Sequence, residues 1–210
     1  MIVGMNRERP IAIAITGASG SQYALRLIEQ LVNAGRELSV MISAAGQIVL
    51  RMEAGVDIPA APGDAATWFR ERYQAAPGQI QVFGRRDWTA PVASGSNPPA
   101  AMVVCPCTTG TLAAIAAGQS QNLIDRAADV VIKEQRKLIL VVRETPFSTI
   151  HLENMLKLAR AGVVIMPANP GFYHCPKSVA EVVDFMVARI LDHLDVPHAL
   201  MPPWGGITPE

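Results

Sequence analysis

The residues best placed to do chemistry are Arg143-Glu144, which directly follow 137–142, the most hydrophobic run of the chain. An arginine at the end of a buried strand sits at the ligand edge of an α/β sheet, where it can grip a phosphate through two parallel hydrogen bonds. The carboxylate beside it can take or give a proton. The plain alternative is a structural arginine–carboxylate pair at a strand end. Further cations, Arg126, Lys133 and Arg189, lie in stretches of helical spacing; for Lys133 and Arg189 the alternative is a solvated helix face. A second candidate stands near the start, where Thr16-Gly-Ala-Ser-Gly20 separates an isoleucine-rich run from a helical pattern. The N–H groups of such a loop and of the helix behind it favour an anion. Gly17 and Gly20 permit close approach, and Ser19 and Ser21 add hydroxyls. The loop is neither G-x-G-x-x-G nor G-x-x-x-x-G-K-[ST], which disfavours NAD binding and nucleotide hydrolysis. A sharp βα turn packed with small residues would read the same way.

One such loop is not enough. A phosphate at a helix terminus gains roughly 0.3–1 kcal/mol, whereas micromolar binding needs about −8 kcal/mol. The sequence offers more contacts. Pro106-Cys-Thr-Thr-Gly-Thr111 repeats the strand, small loop, helix order, with Thr108 and Thr109 as hydroxyl donors. Two such loops on one sheet edge can hold the two ends of one nucleotide. Ser43, at the end of the second strand, is either a ligand contact or a helix N-cap. Residues 87–99 form a long loop. In it Trp88 can line an apolar pocket and Ser94, Gly95 and Ser96 can meet a phosphate, unless the segment is a connector.

These residues need a frame, and the periodicity supplies one. Short apolar runs at 11–15, 37–42, 80–83, 101–105, 137–142 and 163–166 predict strands, those at 11–15 and 101–105 as buried ones. Helical spacing predicts helices after 20, 43, 64, 111, 148 and 178 and from 122, with Asp64, Ser148 or Thr149, and Ser178 as caps. The expected fold is α/β, a doubly wound, Rossmann-like and mostly parallel sheet of about six strands with helices on both faces. It forms a single domain over 1–210, with a proline- and glycine-rich tail from about 196 that carries Trp204.

Composition narrows the function classes. The 210 residues are 50% apolar and 17% charged with zero net charge, which gives no general nucleic-acid or membrane-surface binder. No run is long enough to span a membrane and no signal-peptide core is present, so a cytoplasmic location is expected. Three cysteines argue against a disulfide framework, and Cys105 and Cys107 read as core thiols. The four histidines are scattered and no Cys/His cluster has zinc spacing, so no metal site is expected.

Four segments taken together carry a family resemblance: Gly17-Ala-Ser-Gly20, Arg126-Ala-Ala-Asp-Val-Val-Ile-Lys133-Glu134, Leu140-Val-Val-Arg-Glu-Thr-Pro146 and Met166-Pro-Ala-Asn-Pro-Gly-Phe-Tyr-His174. In this order the chain resembles the UbiX flavin prenyltransferases of ubiquinone biosynthesis, whose wider superfamily includes flavin-containing cysteine decarboxylases. The resemblance implies transfer of a dimethylallyl group from dimethylallyl monophosphate to N5 and C6 of reduced FMN. The product, prenylated FMN, would serve a UbiD-type decarboxylase. It further implies a metal-independent enzyme and a homododecamer. It assigns FMN to Gly17, Ala18, Ser19, Ser43, Thr108, Thr109, Gly110, Thr111 and Arg126. The donor falls to Lys133, Arg143, Glu144, Tyr173 and Arg189, joined by Ser94 and Gly95, with Trp88 and Trp204 as an apolar wall. Ser19, Glu144 and Lys133 form the expected catalytic set, Ser19 and Glu144 as a proton relay. The residues agree on one independent point: no aspartate-rich cluster is present to hold Mg²⁺ on a diphosphate, and a monophosphate held by Lys and Arg needs none. A flavin-dependent decarboxylase of cysteine-containing substrates and a non-catalytic FMN carrier are the alternatives.

Overall fold

The computed structural model describes residues 9–202. Its centre is a sheet of six parallel strands in the order β3-β2-β1-β4-β5-β6. The strands are β1 (Ile11–Ile15), β2 (Leu38–Ile42), β3 (Ile80–Phe83), β4 (Ala101–Cys107), β5 (Lys137–Val142) and β6 (Val164–Pro167). β1, β2 and β4 are buried at every residue, which is why β1 and β4 read as unbroken apolar runs, while β2 also buries Ser39. In register, Ile13 lies beside Val40 on one side and Val103 on the other.

The two-residue alternation of β1 divides the core. Ile11, Ile13 and Ile15 enter one hydrophobic layer, and Ala12 and Ala14 enter the other. The first layer is closed by α1 (Ser21–Asn33), α2 (Ala44–Ala54), α3 (Pro62–Tyr73) and α7 (Val179–His193). The second is closed by α4 (Thr109–Ala116), α5 (Leu123–Lys133) and α6 (Thr149–Arg160), together with a 3₁₀ turn at Pro91–Ala93. The expected architecture is therefore present, with every strand parallel. One cap differs from expectation. α3 starts at Pro62 behind Ala61, and Asp64 stands in its first turn, because proline at the first helical position needs no donor partner. Ser148 and Ser178 cap α6 and α7 as expected, accepting from His151 and Glu181 N–H groups.

Strand order fixes where a ligand can sit. The chain winds outward from β1 to β3, then returns through residues 84–100 to place β4 on β1's other side. The loops leaving β1 and β4 therefore part in opposite directions at the carboxyl edge and open a crevice between them. Among the described residues no helix is long and apolar enough to cross a membrane.

Candidate active site

The crevice is tied together at its base by one hydroxyl. Thr16 Oγ1 donates to the Pro106 carbonyl at 2.7 Å and accepts the Thr108 N–H at 2.9 Å. The loop after β1 is thereby locked to the loop after β4. Thr108 caps α4, its Oγ1 accepting the Thr111 N–H at 3.0 Å. The first N–H groups of α4, at Thr109 and Gly110, have no acceptor within the helix and mark an anion site at the switch point. Ser43 caps α2, accepting the Gly46 N–H at 2.9 Å. A β-carbon at Gly17 would collide with Ala45, so the glycine loop lies flat against the start of α2.

The other expected anion site is filled by the protein itself. Glu53 Oε2, near the end of α2, accepts the Gly20 N–H, the Ser21 N–H and the Ser21 hydroxyl, each at 2.9 Å. Ser19 adds a side-chain hydrogen bond to the same carboxylate. Burial works to raise the Glu53 pKa, but these bonds outweigh it and hold the carboxyl below its ordinary value. The N-terminus of α1 was the expected phosphate cradle and is instead neutralised in place, since a carboxylate satisfies its free N–H groups. Gly17 and Ala18 are left as the part of the loop that Glu53 does not engage. The left-handed backbone at Gly20, φ 107°, aims its N–H at this carboxylate. Sequence reasoning missed Glu53 because one acid on a surface helix 32 residues from Ser21 reads as a solvated face.

Arg143 and Glu144 stand where expected, at the end of β5 next to β4. The Arg143 N–H donates to the Cys107 carbonyl at 3.2 Å. Its side-chain Nε is buried with no partner among the described residues. A buried charged donor left unpaired is costly, so this group calls for an acceptor. Glu144 is half-buried, and its Oε1 accepts the Thr145 N–H at 3.0 Å, which leaves Oε2 for a proton.

The remaining expected residues form two separate groups. Along α5, Arg126 donates from Nε to the Ala93 carbonyl at 3.0 Å and from Nη1 to Asp129 at 2.7 Å, which pins the 84–100 segment to the helix. Lys133 pairs with Glu134, and a β-carbon at Gly95 would collide with both side chains. Ser94 Oγ lies 2.8 Å from Ser96 Oγ. Trp88, half exposed, follows β3 at the carboxyl edge. Lys133 closes α5 just before β5 begins and Arg143 just follows β5's end, so one strand length of about 20 Å separates them. The third group lies on the opposite face of the sheet. Tyr173 and Arg189 line one cavity of about 550 Å³ beside α7. There the His174 and Phe185 rings stack at 5.6 Å, and Tyr173 meets both edge-on. Both ring nitrogens of His174 are buried without a partner among the described residues. Trp204 lies outside the described residues.

Cys105 and Cys107 are fully buried in the two core layers. Burial drives both thiols up, Cys107 to about 12, so neither is a thiolate nucleophile at neutral pH.

An all-parallel doubly wound sheet with two anchored small-residue loops at its switch point defines a nucleotide-binding α/β protein, and the flavin class is the one that matches. The family model described as Flavoprotein matches residues 3–191. The flavin prenyltransferase UbiX of Pseudomonas aeruginosa is 56% identical over 201 residues, covering 96% of each chain. The crystal structure of AnUbiX in complex with FMN and dimethylallyl pyrophosphate has a TM-score of 0.84 at 36% identity, covering 96% of this chain and 100% of that one. A dodecameric FMN-dependent UbiX-like decarboxylase from Escherichia coli O157:H7 has a TM-score of 0.83 at 36% identity over 94% of this chain and 100% of that one. The chain belongs to the UbiX flavin prenyltransferase family.

Proposed function

We propose that this protein, acting as a single flavin-binding α/β domain, transfers a dimethylallyl group from dimethylallyl monophosphate to N5 and C6 of reduced FMN. The observation that carries the reading is Arg143-Glu144 at the carboxyl edge, a buried guanidinium donor that has no partner among the described residues, beside a carboxylate with only one oxygen engaged among them. A phosphate leaving group and a departing ring proton need those two groups.

The residues fit FMN. The open N–H groups at the start of α4, with Thr108, Thr109, Gly110 and Thr111, suit the phosphate end. Gly17, Ala18 and Ser19 flank the same crevice from the β1 loop, with Ser43 capping the neighbouring helix. When bound, the reduced flavin supplies the nucleophilic ring positions. The chain supplies the rest. Arg143, Lys133, Tyr173 and Arg189 hold the donor's phosphate and stabilise the charge that develops as it leaves. Glu144 takes a proton at Oε2. Ser19 passes a proton through its hydroxyl, held in place by Glu53. Trp88 shields the allyl chain from water.

In one chain these residues form three groups on two faces of the sheet, so we infer that the donor site is completed between copies. Exposed apolar side chains on α2 (Ile48, Met52) and on α6 (Ile150, Leu152, Leu156) support association, and so does the dodecameric relative. A homododecamer is the proposed assembly. Reduced flavin and three free thiols suit a reducing compartment, which supports a cytoplasmic location. A UbiD-type decarboxylase is the proposed recipient of prenylated FMN, in ubiquinone biosynthesis or a related pathway. The test is anaerobic turnover of reduced FMN with the monophosphate and, in parallel, the pyrophosphate that the AnUbiX complex holds. The reading expects prenylated flavin with the monophosphate and no added metal.

A further inference from the structure

After α7 the chain doubles back, and Val196, Pro197, His198, Met201 and Pro202 return to line the cavity that holds Tyr173 and Arg189. Among the described residues, His198 is the one titratable side chain this returning segment contributes to the cavity lining. Its side chain is only 10% exposed, and both ring nitrogens are engaged. The Leu200 N–H donates to Nδ1 at 3.3 Å, which makes Nδ1 the acceptor and places the proton of the neutral ring on Nε2. Nε2 lies 3.0 Å from Asp192 Oδ1 and donates to it. Asp192 Oδ2 accepts from Arg189 Nη1 at 2.6 Å. The two oxygens of Asp192 are thus divided between the histidine and the arginine. The Arg189 side chain is 52% exposed, and Nη1 is its only nitrogen with a hydrogen bond among the described residues, which leaves its other N–H groups available to an anion.

We propose that His198 is a positioning residue for the prenyl-donor site. Through Asp192 it fixes the Arg189 guanidinium against the cavity, as a hydrogen-bonded outer partner orients a ligand-binding group. An arginine on an exposed helix face would otherwise share its time among many rotamers. A carboxylate locked at its far oxygen by a nearly buried ring, itself locked by a backbone amide, presents that arginine in one orientation. His198 touches no reacting atom in this scheme. The inference rests on the reading of Tyr173 and Arg189 as donor ligands.

The test measures KM for dimethylallyl monophosphate, kcat and the Kd for FMN in H198L, H198Q and R189A. Leucine removes the donor to Asp192, whereas glutamine can present an amide N–H in its place. H198L is expected to raise the donor KM about tenfold, the usual scale for loss of an outer-sphere partner, with kcat and FMN affinity within about twofold. H198Q is expected to recover most of that loss. A purely structural role would not produce this split or this rescue. An unchanged donor KM in H198L, beside a raised KM in R189A, overturns the role of His198. A matching fall in FMN affinity overturns it as well, since positioning of Arg189 alone would spare the flavin. Unchanged KM in both H198L and R189A overturns the assignment of the cavity to the donor. If H198L does not fold, D192N is measured in its place with the same expected rise and the same contrary result.

Discussion

Arg143 and Glu144 are chain neighbours with separable roles. Glu144 is asked only for a proton: one oxygen is held by the Thr145 N–H and the other is left free. E144Q keeps the shape and should bind FMN as tightly as the parent while prenyl transfer falls ~10²–10⁴-fold, the usual scale for a positioned acid–base group. Flavin titration and product mass together check this, and an unimpaired rate would remove the role. Arg143 is asked for charge. Its buried Nε, which has no partner among the described residues, should gain its acceptor from the donor's phosphate. R143A should weaken dimethylallyl monophosphate by ~1.5–3 kcal/mol and FMN by clearly less; equal losses would mean the arginine serves the flavin. The cysteines set a contrast. Cys105 and Cys107 are buried with raised thiols, while Cys175 is exposed. A thiol-alkylating reagent should therefore label Cys175 alone in the folded protein, and rapid labelling of a second cysteine would contradict the packing.

At the scale of elements, the small-residue loops were legible and their use was not. Strand, loop and helix order can be read from 11–33 and 101–116 because apolar runs, glycine and threonine caps are local signals. That Glu53 fills the N-terminus of α1 is a contact between α2 and α1, and no local pattern announces it. The joint is testable by pH. The carboxyl is held below its ordinary pKa, so its ionised form is the one that folding favours. Its contribution is therefore present above the unfolded-state value of about 4.3 and is lost as pH falls through the lower, folded-state value. E53Q should lower stability at neutral pH by about 1 kcal/mol, the range of a helix-terminus partner, or roughly 2–4 °C in melting temperature for a chain this size. The difference from the parent should shrink in acid below pH 4. A constant difference across that range would show that the charge is not what Glu53 contributes. Ser43 shows the same limit. Its sequence position allowed a ligand contact or a cap, and the Gly46 N–H settles the cap without removing the residue from the crevice.

At the scale of the whole molecule, the sequence lists every cation and carboxylate but not the distance between them. Lys133 and Arg143 bracket a six-residue strand, and Lys133 and Arg189 lie on opposite faces of the sheet. Linear spacing carries neither fact, because both follow from the crossing order of the strands. A site completed between copies has a direct signature. K133A and E144Q, each inactive alone, should regain activity when co-assembled in mixed oligomers, since some sites then draw an intact residue from each copy. No recovery in verified mixed oligomers would place both residues in one chain's site. Prenyl transfer itself is tested by one mass spectrum. Purified protein is incubated anaerobically with reduced FMN and dimethylallyl monophosphate, without added metal, and the extracted flavin is weighed. A flavin heavier by one C5H8 unit is expected. Unmodified FMN from folded, flavin-bound protein would contradict it and leave a flavin carrier or a decarboxylase of cysteine-containing substrates as the reading to pursue.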